Sequence, residues 1–533
     1  MQSIVTPLEA VLTADHRRPA IRVRASWLKF ADEGIAYAIV GSSLVNGTDL
    51  VQGQSVIITN ADFFDYMDES EYAMRLDYDR RIDEPRGGIS YAIANILLDN
   101  ITKRFTPEHN ATIGTAIEAR RPFKMSVGFE AGGQDRMVQV LVGLTANRPK
   151  QGRTARTVTV DIYDYITFIN NATIAAAVYE DQRGDEIIED ILVTLGFGSV
   201  QYSLDQSLNT IPFAWFDKNK SAGQRIREIC EAEEATFYQD ENGVLRFENR
   251  NHVANYPHQT PVRTIDAEDI ITDEDDDSTK IINRAIVTAK PRKVDASTSE
   301  IWSHGTVEAV PPLGSITIWA AFYDETGSNV LPVKEITTPA SGTDYAGNTQ
   351  PDGSGAERTA NLTVDVTNFV ETAKIVISNN HATDTVYLTL DVANNKAIAL
   401  RGKAARVIQA IQAVEEDTDS INKFEAQEHT VANNLIQTPE MAQTMAENLV
   451  ARYKDPMRRR KIRIPGIPHL QLKDLVNVVN PEAEDLIPNG GFEINTDNWQ
   501  LVLGGTAAGT LSKTREVPIV QGFFCGKVDI TNN

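Results

Sequence analysis

The 533-residue chain reads as a mainly β protein with one α/β part. Three observations predict this class. Period-two alternation, the mark of a half-buried strand, recurs in stretches such as Ile21-Arg22-Val23 and Val158-Thr159-Val160-Asp161-Ile162. Residues 302–400 are rich in Thr, Val, Ser and Gly, with strand-length runs cut by turn signals, the pattern of a β-sandwich of roughly 100 residues. Asp185–Arg250 alone orders a helix, a strand, a second helix and a hairpin.

That central stretch is the most legible. Ile187, Ile188, Ile191, Leu192 and Leu195 lie on one helical face, with Asp185 as the expected cap and Gly196 where the helix stops. Ile211–Phe216 is an extended apolar run. Ser221 and Gln224 form a capping box, opening a helix that buries Ile226, Ile229 and Cys230. Thr236–Gln239 and Val244–Glu248 flank Asp240-Glu241-Asn242-Gly243, where Asn-Gly supplies the positive φ angles of a tight hairpin.

Upstream, strands are expected at Ile21–Val23, Tyr37–Val40, Val56–Thr59 and Tyr72–Asp77, then a helical stripe of Ile89, Ile93, Ile96, Leu97 and Ile101. Arg121–Phe129 and Arg136–Thr145 read as a strand pair. Downstream, Val262–Ile265 and Ile281–Thr288 read as strands around the acidic run 273–277, taken as a solvated loop. An EF-hand reading of that run fails, because counting from Asp273 the required Gly and Glu places hold Ser278 and Arg284. The 302–400 strands are Ser315–Tyr323, Leu362–Val366, Ala373–Ser378 and Thr385–Val392. Thr438 caps a helix with Pro439 at its first position and Met441, Met445, Leu449 and Tyr453 along one face; Pro456 ends it.

Composition excludes several classes. With 51 basic and 74 acidic residues the net charge is −23, which argues against binding nucleic acid by phosphate neutralisation. Cys230 and Cys525 form neither a disulfide framework nor a metal cluster, and Cys230 is expected as a buried thiol. The first residues lack a signal-peptide core, and no run reaches the ~18 apolar residues of a membrane span, so synthesis in a cytoplasm is expected. The eight histidines make no metal motif, and no nucleophile elbow or phosphate loop occurs, so no enzymatic activity is expected. Arg183-Gly184-Asp185 has the letters of an adhesion tripeptide, but helix capping explains it. The basic run Arg458–Lys461 with Arg463 starts a strand and suits an acidic neighbour subunit at least as well as phosphate.

Four phrases carry a family resemblance. The segment from Lys220 to Arg250 is similar to the small α/β domain of tail hub proteins of long-tailed bacteriophages and of related contractile injection machines: a short helix, a Tyr-containing strand, a D-x-x-G turn and a strand ending in Phe. Leu98-Asp99-Asn100 with Phe105 and Pro107 resembles a phrase of siphophage tail-tip proteins. Residues 153–171 resemble the closing strand of the first hub barrel. Tyr453, Pro456, Pro468, Leu470, Asp474, Val476 and Val478 resemble the second hub barrel, with Lys473 in place of the family's usual Gly. Separately, Asn489-Gly490-Gly491-Phe492-Glu493 followed by Trp499 resembles the first strand of jelly-roll carbohydrate-binding modules, and what remains of the chain is too short for eight strands.

The resemblance implies a first hub barrel at 1–63 and 135–174, a helix-containing arm at 64–134, the small α/β domain at 175–258, and a second barrel with helix at 259–300 and 401–482. An immunoglobulin-like β-sandwich would be inserted at 301–400, and a jelly-roll fragment would occupy 483–533. It further implies a structural tail-tip protein of the virion, a homotrimer (minor tail protein, baseplate hub) that closes the tail tube and forms a conduit for genome ejection. Its partners would be distal tail and tail tube proteins, the tape-measure protein and a central fibre or spike, with DNA only as cargo. In the terminal module Trp499 is the residue expected to stack on host-surface glycan, and Glu493 matches a position near a structural calcium; no other cofactor is implied. A host-recognition adhesin acting through that module is the alternative, and a cell-wall enzyme a third reading.

Overall fold

The computed structural model describes residues 19–27 and 66–479 with short breaks, the longest at 81–87, 152–155, 253–259 and 277–280, plus strand pieces within 38–51 and 508–531. The fold is mainly β with α/β parts. It divides into two compact units, one of 1–255, 278–458 and 468–472, the other of 256–277, 459–467 and 473–533.

The first unit begins with an eight-stranded sheet. Its strands are β1 (Pro19–Ala25), β2 (Ala73–Arg80), β3 (Ala92–Asp99), β4 (Pro122–Ala131), β5 (Gln134–Thr145) and β6 (Thr157–Tyr163), with short pieces at Met67–Asp68 and Lys150–Gln151. The order runs Met67–Asp68, β1, β4, β5, β6, β3, β2, and among the described residues the ladder does not close. The expected barrel is therefore an open sheet. Where β1 approaches the turn before β2, the contact is local: Glu69 N–H donates to Val23 O (2.8 Å) and Val23 N–H to Ser70 Oγ (3.1 Å).

The expected helical stripe at 89–101 is the strand β3. Ala92, Ala94, Ile96 and Leu98 are buried, whereas Ile93 and Ile101 are exposed. The true period is two, hidden because small alanines fill two inward positions while isoleucines at other positions imitate a helix face.

Asp164 caps α1 (Tyr165–Asn171), and the chain enters the α/β module: β7 (Ala177–Arg183), α2 (Gly184–Thr194), β8 (Thr210–Phe216), α3 (Ala222–Glu233), β9 (Thr236–Gln239) and β10 (Leu245–Glu248). The capping box forms as read, with Ser221 N–H donating to Gln224 Oε1 (2.9 Å) and Gln224 N–H to Ser221 Oγ (3.2 Å). Gly196 takes φ +90° at the end of α2. Two local readings change. The cap of α2 is Arg183, not Asp185, with Glu186 accepting the Arg183 N–H. In the hairpin only Gly243 has positive φ (+88°), because Asp240 Oδ1 accepts the N–H groups of Asn242 and Val244 and holds a wider turn.

Further along lie β11 (Arg263–Ile265) and β12 (Thr272–Asp276), then β13 (Arg284–Ala289). An insertion follows with its own core, from Ile301 to Ala404. One of its sheets orders β14 (Ser315–Ala321), β16 (Thr372–Asn379) and β15 (Leu362–Asn368). After it come β17 (Ile411–Glu416) and β18 (Glu428–Ala432), which flank β13, and α4 (Pro439–Tyr453), capped by Thr438. Met441, Met445, Leu449 and Tyr453 of α4 bury into the same core as Ile188 of α2 and Ile229 and Cys230 of α3. Residues over 200 positions apart thus share one apolar interior, with Cys230 a buried thiol outside any disulfide.

In the second unit β11 pairs in parallel with β20 (Val476–Val478), and β12 pairs antiparallel with β19 (Arg459–Arg463). The acidic run is therefore a strand, not a loop. Its register sets Glu274 opposite Lys461, Asp275 opposite Arg460 and Asp276 opposite Arg459. The register thus places the basic run beside an acidic strand of its own chain.

Candidate functional site

Three joints stand out among the described residues. The first joint is the Leu98-Asp99-Asn100 phrase. Asn100 Oδ1 accepts the Phe105 N–H (2.9 Å) and Asn100 Nδ2 donates to Thr106 Oγ1 (2.9 Å), which curls the chain after β3 back over the sheet. Phe105 becomes fully buried, 5.4 Å from the Tyr72 ring and 6.1 Å from the Trp27 ring. Pro107 packs so closely on Gly114 that a Cβ there would meet the Pro107 carbonyl oxygen at 2.2 Å. Beneath this lid the buried Glu69 carboxylate accepts two hydrogen bonds from Arg104 (2.6 and 2.8 Å) and one from Trp27 Nε1 (3.0 Å). A buried carboxylate is tolerable only with such partners.

The second joint locks the module to the sheet. Gln239 donates to Val142 O (2.7 Å) and accepts the Tyr165 N–H (2.8 Å). Gln139 reaches Glu241 O (3.1 Å), and Arg80 lies 3.6 Å from the Glu241 carboxylate, both side chains buried. Asp164 accepts the Ala92 N–H at 2.6 Å while capping α1; burial outweighs these bonds and pushes its carboxyl up to about 7. The third joint ties the module to the distant α4 segment. Gln437 brackets Phe213, Asn433 donates to Glu228 O (2.8 Å), and Asn448 donates to Glu234 (3.0 Å). Burial also raises the Glu233 carboxyl to about 7.

One hydrogen-bonded chain has the look of a relay: His252 Nδ1 lies 2.7 Å from Asp205, its Nε2 3.3 Å from Glu248, and Tyr238 OH donates to Glu248 (2.6 Å). Both ring nitrogens face carboxylates, and the contacts fasten β10 to the loop before β8. Among the described residues no group of three or more His, Cys, Asp or Glu side chains could hold a metal, and no helix is long and apolar enough to cross a membrane. The Arg183-Gly184-Asp185 tripeptide is folded inward: Asp185 is held by Arg183 (3.0 Å) and by Ser207, whose N–H it accepts (2.9 Å).

No family model matches the chain, and no curated protein matches it. Solved structures do. A tail protein from Neisseria meningitidis MC58 is 9% identical over 51% of this chain and 64% of its own, with a TM-score of 0.29. The 43 kDa tail protein of prophage MuSo2 from Shewanella oneidensis is 10% identical over 88% of this chain and 90% of its own (TM-score 0.37). An E. coli component of the type VI secretion system, described as structurally similar to T4 bacteriophage tail proteins, is 12% identical over 42% and 56% (TM-score 0.23). This chain therefore spans just under two thirds of the Neisseria protein and little over half of the E. coli one.

Of the sequence-predicted site residues, Trp499 and Glu493 lie outside the described residues, as does most of the expected jelly-roll fragment; a single hairpin, Ala508–Thr514 with Cys525–Thr531, is described there. Sequence reasoning passed over Trp319, which is 61% exposed on β14. The signal was present: Trp319 shares parity with Ser315 and Thr317 in an alternating strand, and so belongs to the outward face.

Proposed function

We propose that the chain is a structural subunit of a phage tail or a related injection machine, acting as a trimeric tail-tip hub that closes the tail tube and passes DNA at ejection. The observation that carries this reading is that the residues of the tail-hub phrases fall on the joints of the fold. Asn100 and Phe105 close the lid over the first sheet. The module from Lys220 to Arg250 is clamped by Gln239 on one side and by Asn433, which donates to Glu228 O, on the other. Lys473, standing where the family has Gly, takes the left-handed conformation (φ +64°) that a glycine would supply. A subunit that must bear load between a tube and a spike needs such rigid cross-links, and none of them needs chemistry. The net charge of −23 suits a conduit that DNA crosses without adhering. Distal tail, tail tube, tape-measure and fibre proteins would be its neighbours.

Negative-stain images of the purified full chain test the reading. Rings with three-fold symmetry and an axial opening are expected; particles of one chain only would contradict it.

A further inference from the structure

We infer that the outward face of the β14–β16–β15 sheet in the insertion binds a neutral oligosaccharide, with pyranose rings stacking on Trp319 and Phe369. This inference stands apart from the hub reading and from the terminal module.

Alternation defines the face. Ala373, Ile375 and Ile377 of β16 point into the core, so Lys374, Val376 and Ser378 point out. Pairing places Trp319, Lys374 and Thr367 in one cross-strand row and Thr317, Val376 and Asp365 in the next. Trp319 is 61% exposed and Phe369 45%, with ring centroids 6.0 Å apart and planes inclined by 29°. Large aromatic surface left in water is costly unless something covers it.

The turn that presents Phe369 is held in an uncommon conformation. Val370, a β-branched residue, has φ +69°, a region such residues avoid. Asn368 pins it: its Oδ1 accepts the Val370 N–H (2.9 Å), and its Nδ2 donates to Val333 O (3.0 Å). Val333 N–H in turn donates to Val370 O (2.8 Å). Strain kept by so many bonds fixes the tip residue, Phe369, beside Trp319.

The surroundings decide the class of ligand. A protein partner would need a contiguous apolar centre, and here the two aromatics are set among Thr317, Thr367, Lys374 and Asp365. Among the described residues the side chains of Thr317, Thr367 and Lys374 make no hydrogen bond or ion pair, and so are available to hydroxyl groups. A sugar offers that combination, an apolar C–H face for the rings and hydroxyls for the rim. Charge selects a neutral one: Lys374 and Asp365 offset each other locally, while the net −23 of the chain repels an anionic polymer.

The test is calorimetric titration of the full chain with cellohexaose, maltohexaose and chitohexaose, and with a hyaluronan hexasaccharide as the anionic control. At least one neutral sugar is expected to bind, Trp319→Ala and Phe369→Ala each to weaken it about ten-fold, and Trp319→Phe to keep most of the affinity. Thermal midpoints of the variants should stay close to the parent's, since neither side chain belongs to the buried core of the insertion. Absence of binding by all three neutral sugars at millimolar concentration would overturn the inference. So would binding that Trp319→Ala leaves intact, tighter binding of hyaluronan, or alanine variants that change the oligomeric mass, which would make the face a contact between copies of the chain.

Discussion

The side-chain amide of Gln437 brackets the backbone of Phe213, accepting its N–H at 2.9 Å and donating to its carbonyl at 2.5 Å. It does the work of a neighbouring strand, tying β8 to a segment 224 residues away. Gln437→Leu keeps the bulk and leaves both backbone groups unpaired in a buried place. The expected loss is about 2 kcal/mol in urea unfolding, with faster hydrogen exchange at Phe213; an unchanged midpoint would show that the bracket is incidental.

Asp164 and Glu233 each favour the folded state on the acid side of neutrality. Both carboxyls are raised from ordinary values to about 7, chiefly by burial. A raised carboxyl means the folded state holds its proton more tightly than the unfolded chain. Their contribution is therefore full below the unfolded pKa and lost as pH climbs through about 7. The thermal midpoint should fall between pH 5 and pH 8, and Asp164→Asn, which can still cap α1, should flatten that fall. A midpoint rising over this range would contradict the assignment.

Asn100 holds the lid through two side-chain bonds, and Phe105 depends on them. Asn100→Ala should cost about 2 kcal/mol and expose the segment from Lys103 to trypsin in the native state, read as a new early cleavage. Equal protection in parent and variant would show that Phe105 docks unaided.

Lys473 sits at φ +64°, which costs a non-glycine residue about 1 kcal/mol. Lys473→Gly should hold or raise stability by a few tenths of a kcal/mol, because glycine's looser unfolded state offsets part of the relief, while Lys473→Val should lose about 1 kcal/mol or more. A Gly variant clearly less stable than the parent, or a Val variant as stable as the parent, would refute the turn.

Local signals in the sequence were read well where one element carries its own code. Ser221 and Gln224 name a capping box, and Thr438-Pro439 opens a helix, whatever lies around them. The failures are tertiary. The β3 strand looked helical because its inward positions hold Ala92 and Ala94, whose hydropathy is too weak to mark a face. The acidic run looked like a loop because its stabilising strand, Arg459–Arg463, lies nearly 200 residues on, and no local pattern announces such a pairing. The joints were invisible for the same reason: Asn100, Gln239 and Gln437 are ordinary polar residues until the backbone groups they satisfy are known.

The proposed tail-tip hub would work as a trimer. Light scattering after size exclusion, across a range of concentrations of the full chain, tests it most directly. A species of three times the 58.8 kDa chain, growing in as concentration rises, is expected. A strict monomer, or an assembly of another order, at every concentration would contradict it.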